Sequence, residues 1–510
     1  ASRGVSMTVT AQGNVADILT EGAKRSPDAT AIVFEAAEYD WVTLRDRARR
    51  AATALRELGL RPGDRFAHLG KNHAATVELI FAAAITGTVI VIVNSRLAVA
   101  EVTYIFRDAQ AKAVFATGEF RDTATEAALR AELSVPVLAS GGDSYEYWLA
   151  AAEPSSAAHH STPENCFLQL YTSGTTGNPK GALLTHRSML SHTIAAQQVF
   201  DHFTPGDVNL VAMPLFHVSG VAWLLAGMYG HARSVLISDV VPAAVLRLCE
   251  RQRVTHTFVV PAVLRFLLAD AAFDKTDLSN LKVLAYGGSA TPNVLLAQAL
   301  QRFPATTGFY HVYGMTEASG AASTLGPVEH RSRPDLIGSI GKPMTGVRIR
   351  VVEPDTGEDV KGGESGELWI HSADLMTGYW QQPEATARTL ADGWYRSGDV
   401  GYHDDEGYYF LRDRVADMII SGGENVYPVE VEQVLTEHPS VTEAAVIGAP
   451  DDTWGQVVHA VVAGEGIDPD ALMAFCRERL AGYKCPRAVR IVAALPRNAT
   501  GKVLRRQLRH

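Results

Sequence analysis

The residues with the clearest capacity for chemistry lie between Leu170 and Gly181, in LYTSGTTGNPKG. Gly174 and Gly177 let the backbone take positive φ, so successive N–H groups can turn inward as an anion nest. Ser173, Thr175 and Thr176 add hydroxyl donors, and Lys180 adds a point charge suited to phosphate. An alternating apolar run, Phe167, Leu168 and Leu170, leads in, which predicts a strand feeding a polyphosphate-binding loop. A flexible Ser/Thr/Gly linker is the competing reading, but linkers rarely end in Pro-Lys-Gly after an apolar strand. The common P-loop does not fit. It needs Gly-Lys followed by Ser or Thr and a helix, whereas Pro179 precedes Lys180 and Gly181 follows it.

Other groupings lie downstream. In Tyr313-Gly314-Met315-Thr316-Glu317 a carboxylate sits beside a hydroxyl after a glycine turn, which suits a Mg²⁺ held mainly by phosphate oxygens with one protein ligand. Standing alone, this would read as a surface turn. Gly287-Gly288-Ser289-Ala290 ends a predicted strand and precedes a helix, where open α/β sheets bind ligands. Asp399, after Gly398, is by itself an ordinary turn residue. Ser421-Gly422-Gly423-Glu424 has two adjacent glycines, which permit close backbone approach to a thin ligand. Trp454, Tyr483 and Arg487 could hold a nucleotide by stacking and charge, although each alone is ordinary surface or packing. There is no Ser-His-Asp, HExxH or GxSxG signature.

TSGTTGNPKG resembles the phosphate loop of the acyl-adenylate-forming enzymes: acyl- and aryl-CoA synthetases, adenylation domains and beetle luciferases. The resemblance runs from about Val15 to Leu508, with the motifs in the family's order. It implies ATP, Mg²⁺ and coenzyme A as reactants and a small carboxylic acid as substrate. By this resemblance Thr172 to Gly177 and Lys180 hold the polyphosphate. Thr316 meets the α-phosphate, Glu317 the metal and Tyr313 the adenine, beside Gly314. Gly288, Ser289 and Ala290 form the adenine-side loop. Asp399 takes the ribose hydroxyls, with Arg414 as a second ribose or phosphate contact. Ser421 to Glu424 line a pantetheine channel, and Lys502, in Pro496-Arg497-Asn498-Ala499-Thr500-Gly501-Lys502, is the catalytic lysine. His217 resembles the histidine at the carboxylate end of the acyl pocket, and a core histidine is the alternative. Val218, Gly220, Trp223, Gly287, Ala318 and Gly320 are expected around that pocket. Relatives usually carry Asp or Lys where this chain has Ala416, so the hinge is expected without its polar contact.

These groups need a scaffold that brings distant segments together. The chain has 510 residues, too long for one core. Apolar residues make up 47% and charged residues 20%, an ordinary globular balance. The net charge of −10 and the lack of a basic run argue against a nucleic-acid partner. No stretch is long and apolar enough for a membrane span. Leu79 to Val93 is broken at Thr86-Gly87-Thr88 and predicts a buried helix end, a turn and a strand. Cys166, Cys249, Cys476 and Cys485 have no CxxC spacing and read as reduced thiols of a cytoplasmic protein. His159 and His160 sit in a polar connector and read as solvated.

The expected fold class is α/β. Helix-like and strand-like segments alternate: a helix over 42–58, and strands at 65–69, 89–93, 208–213, 234–237, 257–260 and 283–286. After about Pro343 short strands with Gly and Asp predict a small β-rich subdomain. The last segment predicts a small α+β domain with strands at 441–448 and 457–463 and a helix opened by Asp468-Pro469. The expected division is an AMP-binding domain over 8–413, a hinge at 414–417 and a mobile domain over 418–510. The resemblance implies an acid–CoA ligase acting through an acyl-adenylate, with a homodimer compatible with it. Small residues around the pocket favour a fatty or other apolar monocarboxylic acid, with an aryl acid of benzoate or cinnamate type as the alternative. A carrier-protein-loading enzyme and a non-catalytic nucleotide-binding homologue are the competing classes.

Overall fold

The computed structural model describes residues 9–154, 161–172, 178–288, 291, 293–353, 356–414, 419–426, 428–496 and 505–508. Ser173, Gly174, Thr175, Thr176, Gly177, Ser289, Ala290 and Lys502 lie outside the described residues, as do His159, His160, Ala416 and the side chain of Arg414.

Among the described residues the first sheet has six strands. Their order is Val137–Ala139, Val114–Ala116, Arg65–Leu69, Val89–Val93, Cys166–Thr172 and Lys180–Thr185. Neighbours run parallel except for the last pair. Val89–Val93 reads VIVIV and is buried at every position, as a parallel strand covered on both faces must be. The helix before it, Ala74–Thr86, is buried along its whole length. Gly87 ends that helix at φ +73°, a left-handed cap that a glycine adopts without steric cost.

A second, larger sheet carries a parallel core: Thr30–Phe34, Arg233–Leu236, Val208–Val211, His256–Val259, Val283–Gly287 and Gly308–Met315. Each expected strand is present within a few residues. The β-rich segment after Pro343 is present too, but hydrogen bonding carries it into the large sheet. Ser339–Pro343 pairs with Gly320–Leu325 on one side and with Tyr409–Arg414 on the other. The expected subdomain is thus an extension of the same sheet.

The small C-terminal domain holds a third sheet, in which Gly455–Gly464 pairs with Val441–Asp451, Ile419–Ser421 and Ala488–Ile491. Its helix Pro469–Arg477 starts as expected, with the Asp468 carboxylate accepting from the Asp470 and Ala471 N–H groups. Leu472, Cys476 and Leu480 bury its apolar stripe. All four cysteines are free thiols. Among the described residues no helix is long and apolar enough to cross a membrane.

Candidate active site

Parallel strands deliver their carboxyl ends to one side of a sheet, and here two sheets do so toward one cavity of about 270 Å³. Asn94 and Thr172 follow or end strands of the first sheet. Val260, Gly288 and Met315 do so for the second.

Thr172 is paired with Lys180 across antiparallel strands. Lys180 is buried, its Nζ lying 5.1 Å from the Tyr379 ring centroid. Burial lowers its pKa, Arg388 adds to that, and Glu317 opposes it. Thr316 and Glu317 open a short turn directly after Gly308–Met315. Both line the cavity. Glu317 is buried, and its Oε1 accepts from Tyr379 Oη at 2.8 Å and from Thr172 Oγ1 at 3.3 Å. Those partners are neutral hydroxyls. No group of three or more His, Cys, Asp or Glu suited to a metal occurs among the described residues. One carboxylate among hydroxyls fits a hard cation that brings most of its ligands with a polyphosphate.

Asp399 reaches the cavity from the strand Trp394–His403. Its Oδ2 accepts from Tyr313 Oη at 2.7 Å, which ties together two residues that the sequence assigns to the nucleoside. Gly288 lines the same wall at φ +81°, and an added Cβ would meet only Val260, at 3.7 Å.

The wall expected to receive the acyl group is built by two helices. His217 precedes the helix Val218–Tyr229, which presents Val218, Ser219, Ala222, Trp223 and Ala226 to the cavity at helical spacing. The helix His186–Val199 adds His192 and Ala196, one turn apart. Gly320 also lines the wall, at φ +140°, with an added Cβ 2.5 Å from His192 Nε2. Three expected wall residues lie elsewhere. Gly220 packs on the backbone, where a Cβ would fall 2.2 Å from the Pro214 carbonyl oxygen, and Gly287 does the same against the Val312 carbonyl oxygen. Ala318 is buried but does not line the cavity. The two glycines serve close backbone approach and do not enlarge the pocket.

The small domain closes the cavity. Gly423, Glu424, Tyr483 and Lys484 line it together with Thr316, Glu317 and Asp399. Glu424 contacts both the Arg96 guanidinium and His217 Nε2, the latter at 3.2 Å. Burial would raise its carboxyl, yet His217, Arg96 and Lys484 hold it at about 2. Asn94 Nδ2 donates to Tyr483 Oη at 3.3 Å. Lys484 Nζ is buried between Glu101 Oε1 of the large domain at 2.8 Å and Glu430 Oε1 of its own at 2.6 Å. Gly423 sits at φ +84° with an added Cβ 3.2 Å from Val260. Ser421 is buried, and Gly422 packs under Trp454. Trp454 is partly exposed against Phe266, outside the cavity, and Arg487 is exposed. Arg96, Glu101, His192, Tyr379, Glu430 and Lys484 were not expected from the sequence. Each is a lone residue whose partner lies far along the chain.

Comparison with known proteins fits this geometry. The AMP-binding enzyme family matches residues 19–380, and the AMP-binding enzyme C-terminal domain matches residues 430–502. A fatty acid–[acyl-carrier-protein] ligase from Streptomyces coeruleorubidus is 37% identical over 494 residues, 96% of this chain and 94% of the relative. A feruloyl-CoA synthase from an Amycolatopsis species is 39% identical over 491 residues, 96% of each chain. Among solved structures, a double mutant of o-succinylbenzoate CoA synthetase from Bacillus subtilis, bound to its product analogue OSB-NCoA, superposes with a TM-score of 0.87 at 30% identity, covering 96% of this chain and 97% of that one. The Bacillus subtilis synthetase in complex with its acyl-adenylate intermediate gives 0.71 at 30% identity, covering 97% and 98%.

Proposed function

Since the chain belongs to the AMP-binding enzyme family, we propose that it activates an apolar monocarboxylic acid with ATP and passes the acyl group to the thiol of coenzyme A. The observation that carries this reading is the shared cavity: Thr316, Glu317 and Asp399 from the large domain line it with Gly423, Glu424 and Tyr483 from the small one.

In the first half-reaction a carboxylate oxygen attacks the α-phosphorus of ATP, the bond to the β,γ-phosphates breaks, and pyrophosphate leaves. The chain's part is alignment and charge stabilisation. Lys180, Thr172 and Thr316 hold phosphate oxygens, and Asp399 and Tyr313 hold the nucleoside. A Mg²⁺ accompanying the phosphates would be met by Glu317 and supplies neutralisation of their charge. Lys502, by its match to the family's C-terminal lysine, is assigned to stabilising the charge that develops in this step, in a domain arrangement reached by turning about a hinge at 414–417. In the second half-reaction the thiol sulfur bonds to the acyl carbon, the acyl–phosphate bond breaks, and AMP leaves. The docked Gly422-Gly423 loop and Tyr483 border the thiol's path. The better superposition on the product-analogue complex than on the acyl-adenylate complex supports assigning the present arrangement to this step. The free thiols support a cytoplasmic setting.

A second acceptor, the pantetheine thiol of a carrier protein, is favoured by the name of the Streptomyces relative. The test is a panel of acids assayed for acid-dependent pyrophosphate release, followed by thioester formation with free CoA and with a phosphopantetheinylated carrier. Thioester with CoA supports the primary reading, and thioester with the carrier alone replaces it.

A further inference from the structure

Lys180 and Glu317 carry opposite charges and lie close enough to interact: burial lowers the Lys180 pKa, and Glu317 opposes that fall. Both residues are buried. An ammonium and a carboxylate so placed gain by closing an ion pair, and neither then stays open to a ligand. Among the described residues no ion pair joins the two. Tyr379 contacts both instead. Its hydroxyl donates to Glu317 Oε1 at 2.8 Å, and its ring centroid lies 5.1 Å from Lys180 Nζ, within cation–π range.

The backbone fixes this tyrosine from both sides. The Met376 N–H donates to the Glu317 carbonyl at 2.8 Å, the Thr377 N–H to the Leu183 carbonyl at 3.1 Å and the Trp380 N–H to the Gly181 carbonyl at 2.7 Å. The Leu183 N–H donates back to the Gly378 carbonyl at 3.0 Å. Residues 376–380 thus tie the turn that carries Glu317 to the strand Lys180–Thr185. Thr386 Oγ1 accepts from the Tyr379 N–H at 2.9 Å, and Trp380 Nε1 donates to the Asp108 carbonyl at 3.0 Å. Both hydrogen bonds to the Glu317 carboxylate fall on Oε1, so Oε2 accepts none among the described residues. The carboxylate is held by one oxygen and open at the other. The ammonium is held by a ring face, which leaves its N–H donors for stronger acceptors.

We propose that Tyr379 is a positioning residue that keeps Lys180 and Glu317 from closing on each other, its hydroxyl holding the carboxylate and its ring the ammonium, so that a polyphosphate and the cation it carries meet two open ligands. This rests on the ATP-using reading of the same cavity and adds to it the residue that holds the two charged ligands ready. A ring without the hydroxyl would fill the space and leave the carboxylate unanchored. A side chain with neither ring nor hydroxyl would let the two charges meet. In this role Tyr379 acts through Lys180 and Glu317 and takes no part in the transfer of the acyl group to a thiol.

The test is calorimetric binding of ATP to the full chain, with the acid omitted, in the presence of Mg²⁺ and with EDTA in its place. Metal-free binding reads Lys180, and the gain in affinity on adding Mg²⁺ reads Glu317. Tyr379→Phe should leave metal-free affinity within about twofold and shrink the Mg²⁺ gain about tenfold, the scale of one lost hydrogen bond to a charged group. Tyr379→Leu should lower metal-free affinity roughly tenfold, the order of a coupling between neighbouring charges, and Glu317→Gln added to it should restore that affinity. A packing defect would not be relieved by Glu317→Gln. An Mg²⁺ gain unchanged in Tyr379→Phe overturns the proposal. So does metal-free affinity that stays level in Tyr379→Leu, or that Glu317→Gln fails to restore there. Each of these leaves the ATP-using reading standing, since the unaltered chain still binds the nucleotide. An unaltered chain that binds no ATP even with Mg²⁺ overturns both. The Tyr379→Phe measurement decides the matter even if Tyr379→Leu does not fold.

Discussion

Glu317 is a buried carboxylate whose partners are two neutral hydroxyls, Tyr379 and Thr172. Lys180 supplies one favourable charge nearby, and a cation carried in with the phosphates would supply another. Glu317→Gln should therefore cut acid-dependent pyrophosphate release on the order of 100-fold, as loss of a transition-state charge contact does, and raise the Mg²⁺ needed for half-maximal rate. Near-normal release with an unchanged Mg²⁺ requirement would remove the assignment. Asp399 makes a different kind of contact, since it also anchors the Tyr313 hydroxyl at 2.7 Å. Asp399→Asn should raise the KM for ATP well above any change in the KM for the acid, measured by pyrophosphate release at varied concentrations of each. Equal shifts in both would mean that Asp399 holds the fold and not the nucleoside.

At the scale of elements, the loop Ser421 to Glu424 is shaped by its two glycines. Gly423 takes a left-handed φ of +84° and lies against Val260 of the large domain. Gly423→Leu adds backbone strain and an obstacle at the docking face, and should slow thioester formation from supplied acyl-adenylate far more than pyrophosphate release. Equal losses would place the loop in both steps. The helices and strands around this loop were legible in the sequence because their signals are local. VIVIV before a connector, Asp468-Pro469 before an apolar stripe, and Gly87 after a buried helix each declare an element within a few residues. The merging of the β-rich segment with the large sheet was not legible, since Ser339–Pro343 finds its partner Tyr409–Arg414 about seventy residues away. Glycines misled for a related reason. Gly220 and Gly287 look like pocket-makers in sequence, and only the positions of the Pro214 and Val312 carbonyls reveal that they permit backbone contact. His192, a single histidine in an apolar helix, gave no signal until Ala321 and the cavity were placed beside it.

At the scale of the whole molecule, the two domains meet through Lys484, whose ion pair with Glu430 lies within the small domain and whose ion pair with Glu101 crosses to the large one. Burial raises the Glu430 pKa to about 7; Lys484 opposes the rise and Glu101 adds to it. On the proposed rotation of the small domain Glu101 is left behind, so Glu430 loses one of the causes of its rise. The docked arrangement thus holds a proton that the undocked one releases, and docking should weaken as pH rises through about 7. Resonance energy transfer between dyes on the two domains should fall over that range, and Glu430→Gln should flatten the response. An unchanged slope in that variant would assign the pH dependence to another group. The central claim, that this docked arrangement serves the thioester step, is tested most directly through Glu424. Its carboxylate contacts Arg96 and His217, both of the large domain. The measurement is the rate of each half-reaction in Glu424→Ala: pyrophosphate release from acid and ATP, and thioester formation from supplied acyl-adenylate and CoA. Thioester formation should fall on the order of 100-fold, the cost of breaking a buried charge contact, while pyrophosphate release is largely kept. Equal loss in both steps, or a thioester step that is unaffected, would contradict the account.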